Sequence, residues 1–229
     1  MTKEEIDRFI ENNEKEDIKS FFDKLILKLE ATNRSNDKIL IWLILLIFIY
    51  FSVDLNIFSQ LKLGPIVLTD NSFIKLFIPL VFTYLLLKFM TLNTYRSLIL
   101  KNIRQIGGFL FSLKEGVSDN STYSNSFLQI IMPFSFWEEI SSKYMRKGKA
   151  GCISLLMISP VFLLILVPFV FEYIIIRDLF MNFWKIGLIQ KAVTISTIWI
   201  FLAVIIYYIR LVRIDLEENK NLMPGANNM

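Results

Sequence analysis

The chain contains no histidine, which removes the commonest metal ligand and the commonest general base at neutral pH. Its single cysteine, Cys152, excludes an intrachain disulfide and any zinc site built on two or more thiolates. Nucleotide and hydrolase signatures are absent too. There is no GxxxxGK followed by Ser or Thr, and no GxSxG, HExxH or CxxC. Gly107-Gly108 lacks the strand and spacing of a dinucleotide fold. Glu138-Glu139 offers two carboxylates, but neighbours on a helix point about 100° apart, so the pair reads as a solvated face. No catalytic residue, cofactor or metal is therefore expected, and the chain is not expected to be an enzyme.

Charge of one sign is also in short supply. Lys and Arg number 25 against 21 Asp and Glu, a net +4, too small an excess for nucleic acid to be the main partner. The first apolar run begins only near Ile39, behind a charged leader and without an A-x-A-like pattern, so no cleavable signal peptide is expected.

What the chain has in quantity is apolar sequence. Hydrophobic residues make up 54% and there are 21 Phe, yet charged residues still reach 20%. That mixture suits a membrane protein with sizeable aqueous parts, because a bare helical bundle would carry less charge. The organising stretch is Gly151 to Ile176, with one ionisable residue, Glu172, and no polar stripe. About 26 apolar positions are enough to cross a bilayer with some tilt. Three other runs read the same way. The expected fold is an all-α integral membrane protein with four transmembrane helices, at 37–58, 73–92, 151–176 and 192–212. Trp42, Tyr50 and Phe51 fall near the ends of the first span, as aromatic belts prefer, and Lys88 near the end of the second can snorkel to the headgroups.

Between the spans, residues 1–36 read as two short amphipathic helices. Thr2 with Glu5 fits a capping box, and Asn12-Asn13 separates the two. The second places Ile18, Phe21, Phe22, Leu25 and Leu29 at spacings of three and four. It packs on the protein's own cytoplasmic loop or lies in the headgroup layer, and its acidic residues weigh against the second. Residues 59–72 carry a weak hairpin pattern around Gly64-Pro65. The large loop 93–150 first continues the second span, with Tyr95, Leu98, Ile99 and Ile103 on one face, until Gly107-Gly108 stops it. Pro133 then opens a helix with Phe136, Trp137, Ile140 and Tyr144 on one face. Its tail, Lys143, Arg146, Lys147 and Lys149, attracts anionic lipid by about 1 kcal/mol per cation. Phe21, Phe22 and Leu25 with Phe136, Trp137 and Ile140 are the candidate packing or partner face. Residues 177–191 form a short connection, and 213–229 a polar tail expected to be disordered.

The positive-inside rule orients the chain. Lys24, Lys28, Arg34, Lys38, Lys88, Arg96, Lys101, Arg104, the 143–149 cluster, Arg210 and Arg213 fall on one side. Only Lys62, Lys75, Arg177, Lys185 and Lys191 fall on the other. Both termini and the 93–150 loop are expected in the cytoplasm, at a bacterial inner or plasma membrane. Asn33-Arg34-Ser35 and Asn120-Ser121-Thr122 match the glycosylation pattern but fall on that cytoplasmic side.

Two carboxylates fall inside spans, Asp54 and Glu172, each near an outer end. Either they sit wet or paired at the interface, with Arg177 as a partner for Glu172, or they serve an ion pathway. Pro160 and Pro168 lie close to one face of the third span and read as tolerated kinks or as a hinge. The function expected is a non-enzymatic multi-pass membrane component that self-assembles, docks a cytoplasmic protein through its amphipathic helices, or both. The alternative is a subunit of an oligomeric ion channel or pore-forming effector. The partners expected are the lipid bilayer, further copies of the chain and a cytoplasmic protein.

Overall fold

A computed structural model describes residues 3–55, 61–63, 66–68, 71–111, 133 and 166–221. Apart from two three-residue strands, the secondary structure of these residues is helical. In chain order they form α1 (Lys3–Asn12), α2 (Lys15–Asp54), β1 (Leu61–Leu63), β2 (Ile66–Leu68) and α3 (Asn71–Leu110). Then come α4 (residues 166–178), a π-helical turn at Leu179–Phe183, and α5 (Leu188–Asn221). The strands pair antiparallel, Leu61 opposite Leu68 and Leu63 opposite Ile66. Three helices are long and apolar enough to cross a membrane, within Lys15–Val53, Phe73–Leu110 and Leu188–Ile214. They point to a membrane location. Residues 151–165 of the third expected span lie outside the described residues.

The helices run further than hydropathy suggests. Each of α2 and α3 has 40 residues, about 60 Å at 1.5 Å per residue, twice a hydrocarbon core of about 30 Å. The second short amphipathic helix and the first span are thus one rod. Its polar stretch stays helical although Asn, Ser and Thr are weak helix formers, and its hydroxyls fold back onto the helix instead of drawing the backbone out of it. Thr32 donates to the Lys28 carbonyl (2.8 Å), Ser35 to the Ala31 carbonyl (2.9 Å), and Arg34 pairs with Glu30 (2.6 Å). Gly107-Gly108, expected to stop α3, instead lies within it, and the helix ends at Leu110. A helical glycine costs about 1 kcal/mol relative to alanine, which the packing of Ile103 and Ile106, both fully buried, overrides. α5 likewise continues past Val212 through Leu216, Glu217, Glu218 and Lys220, all good helix formers.

The chain divides into two compact units. One, here the charged unit, comprises residues 1–35, 92–158 and 210–229; the other, the apolar unit, comprises 36–91 and 159–209. Among its described residues the charged unit has a closed core. Ile6 of α1, Ile18, Phe22, Leu25 and Leu29 of α2, and Ile99, Leu100, Ile103 and Ile106 of α3 pack together. Spacings of three and four put each set on one helical face. Polar contacts rim this core: Gln105 donates to Asp7 (2.8 Å), Arg96 donates to Asn33 (2.9 Å), and the Lys28 ammonium lies 5.5 Å from the Tyr95 ring centroid.

The apolar unit is arranged around α4. Phe171 meets Tyr50 and Phe51 of α2 and Phe82 of α3, with ring centroids 5.3, 5.8 and 4.6 Å apart. Phe169 meets Tyr208 of α5 at 5.3 Å. Further along, Leu179 and Phe183 of the π-turn pack with Leu76 of α3 and Val193 of α5.

Candidate functional site

Glu172 stands one residue beyond the aromatic hub at Phe171, and its side chain has no exposed surface. Among the described residues no other Asp, Glu, Lys or Arg is buried. Neither carboxylate oxygen has a hydrogen-bond partner among the described residues. The expected pairing with Arg177 does not occur. Five residues along a helix turn the side chain about 140° away, and Arg177 is exposed on that other face. Thr83 of α3 lies beside the carboxyl, itself fully buried. Its hydroxyl donates to the Pro79 carbonyl at 2.7 Å, so its one proton is already committed. An ionised carboxylate in such a place would forfeit several kcal/mol of hydration with nothing to replace it.

A second polar cluster sits two turns along the same helix. The Tyr50 hydroxyl donates to Asp178 Oδ2 at 2.6 Å, and the Asn182 amide donates to the other oxygen. Asp178 thus ends α4 with both oxygens engaged, where the ladder widens into the π-turn. Such π-turns are often found at functional sites. On α5, Thr194 and Thr197 are fully buried, and both satisfy themselves on carbonyls four residues back, at 2.9 Å.

The remaining sequence candidates fall as follows. Asp54 closes α2, and its side chain is outside the described residues. Pro168 lies inside α4, half-buried, with helix on both sides; Pro160 is outside the described residues. Phe22 and Leu25 belong to the core of the charged unit, with Phe21 packed against its edge and 5.0 Å from the Phe9 ring. Phe136, Trp137 and Ile140 are outside the described residues; among those described, Phe22 and Leu25 pack against α1 and α3. Sequence reasoning missed Thr83, Tyr50 and Asp178. A threonine inside an apolar run was the available signal for the first. Tyr50 read as an interface aromatic and Asp178 as a loop residue, and they are 128 residues apart, beyond any local pattern.

Among the described residues no three His, Cys, Asp or Glu gather as a metal site. Compared with known proteins, the chain matches no family model, no curated protein and no solved structure.

Proposed function

We propose that the protein is a non-enzymatic, four-span membrane component with both termini in the cytoplasm, which assembles with itself and presents its charged helical unit to a cytoplasmic protein. The observation that carries this reading is the separate core of the charged unit. Anchoring requires only the spans, whereas here α2 and α3 are about twice the crossing length and their extensions fold with α1 around nine buried apolar residues. The apolar faces of Phe22 and Leu25 are consumed by that core, so docking falls to its charged exterior. A shallow groove there is lined by Glu16, Lys19, Ser20, Asp23, Lys24 and Leu27. Residues 166–178, helical through the end of the third apolar run, support the four-span count.

Topology is tested by replacing Cys152 with Ser and introducing single cysteines. Those at Ser59 and Asn182 should react with an impermeant thiol reagent in intact cells, and one at Ser121 should not. Labelling at Ser121 from outside overturns the orientation. Assembly is tested by the mass of the protein–detergent complex: a monomer at all concentrations removes self-assembly.

A second reading, a subunit of an oligomeric channel or pore-forming effector, draws on the burial of Glu172 at membrane depth. Planar bilayers containing the purified protein should stay silent on the first reading. Currents whose selectivity shifts in the Asp54→Asn, Glu172→Gln double variant favour the second.

A further inference from the structure

Among the described residues, the surroundings of Glu172 are a cluster of acceptors with no donor. Its two carboxylate oxygens are unbonded, and the Thr83 oxygen beside them has spent its proton on the Pro79 carbonyl. Lone pairs gathered without a proton or a cation repel one another, and a buried site of this kind is completed by a small positive ion. The neighbouring helices supply none. Lys75 and Lys88 of α3, Arg177 of α4 and Lys191 of α5 all leave the Glu172 oxygens without a hydrogen bond. On α2 and α4, Tyr50 and Asp178 are joined to each other instead. A divalent ion would keep one positive charge that a single carboxylate leaves unneutralised, and no other carboxylate is buried among the described residues. An organic amine has no surface to approach, since Glu172 and Thr83 are both fully buried and the Phe82 and Phe171 rings close against each other next to them.

We propose that Glu172 and Thr83 form an intramembrane binding site for one monovalent cation, a proton or a sodium ion. The site stands apart from assembly and from conduction, and it can be occupied in a protein that does neither.

The test uses the full chain in native membranes and the hydrophobic reagent dicyclohexylcarbodiimide. A protonated carboxyl adds across its C=N bond, oxygen to carbon and proton to nitrogen, and the acyl group then shifts to nitrogen as a stable acylurea. Mass spectrometry of the peptide carrying Glu172 reads the adduct. For a proton site, modification should slow by roughly tenfold per pH unit once the acid form is the minority, with sodium having no effect. For a sodium site, modification at fixed pH should slow about tenfold when sodium is at about ten times its dissociation constant, with choline having no effect. Thr83→Val, which keeps the shape and removes the third oxygen, should shift the midpoint of whichever dependence is found by severalfold. Glu172→Gln should abolish the adduct, and the unaltered chain decides the matter should that variant fail to fold. Glu172 left unmodified under every condition, or modified at a rate indifferent to both pH and sodium, overturns the site and leaves a structural carboxyl.

Discussion

The charged and apolar units share three helices, α2, α3 and α5, yet they differ in what they turn outward. In the charged unit Ile6, Ile18, Leu29, Ile103 and Ile106 face inward with at most 1% of their surface exposed, and Lys, Glu and Asp cover the outside. In the apolar unit Phe82, Leu86, Phe171 and Ile175 are buried, but the outward faces are apolar too: Trp199 is 75% exposed, Phe48 63% and Ile41 66%. What it buries includes Thr83, Thr194, Thr197 and Glu172. A surface so rich in exposed Trp, Phe and Ile would be untenable in water and is ordinary in hydrocarbon, where helices are held by packing and polar contacts rather than by hiding apolar area. The contrast shows that one helix can serve two solvents: along α2 the same stripe, Ile18, Phe22, Leu25, Leu29, Ile39, Leu43, Tyr50 and Val53, is buried throughout, and what changes is the chemistry of the face turned outward.

Removing one buried ring is the strongest way to break the comparison. Phe22→Ala should cost the charged unit roughly 3–5 kcal/mol, read as early cleavage within residues 1–35 in limited proteolysis while the apolar unit stays protected. Glu172→Leu should act in the opposite direction, raising the thermal midpoint of the detergent-solubilised protein, because replacing a buried carboxyl and the cation it must hold by an apolar side chain of similar volume often stabilises by about 1–4 kcal/mol. A lowered midpoint would mean that the bound cation contributes more than the apolar replacement does. Tyr50→Phe removes the donor to Asp178 and should destabilise by about 1.5 kcal/mol, the lower end for a hydrogen bond to a charged group since Asp178 is only half-buried; thermal unfolding in detergent measures it. Gly108→Ala should stabilise the charged unit by about 0.5–1 kcal/mol, because the added methyl meets nothing within 4 Å and the helix loses a flexible position; a denaturant titration detects it. The smallest change sharpens the comparison most. Trp199→Ala deletes more apolar surface than Phe22→Ala, yet should alter stability by less than about 0.5 kcal/mol, because that ring faces outward.

Much of the architecture is legible where sequence carries a period. Ile18, Phe22, Leu25 and Leu29 announce a buried stripe because polar residues mark the other face. The apolar runs announce a membrane because no soluble helix dispenses with that face. The same uniformity hides everything inside the apolar unit. When every side of a helix is apolar, hydropathy does not say which side turns inward, so Glu172 could be counted but its burial could not be read. Helix ends were obscured for another reason. Asn33 to Lys38 and Gly107-Gly108 are locally weak for helix, and what overrides them is a core assembled from three separate helices. The Tyr50–Asp178 contact leaves no trace in sequence, since each residue is ordinary in its own surroundings.

That contact also sets an order of events during synthesis. At a ribosomal rate of about 5–20 residues per second, the 128 residues separating its members take roughly 6–25 seconds to appear. Tyr50, Thr83 and Phe82 must wait in an unfinished apolar unit until α4 is made. Among the described residues the core of the charged unit draws on nothing beyond Leu110, so that part of it can assemble while the chain is about half grown. For that interval two spans carry inward polar groups that are unmatched, and it is then that a membrane chaperone would have something to shield.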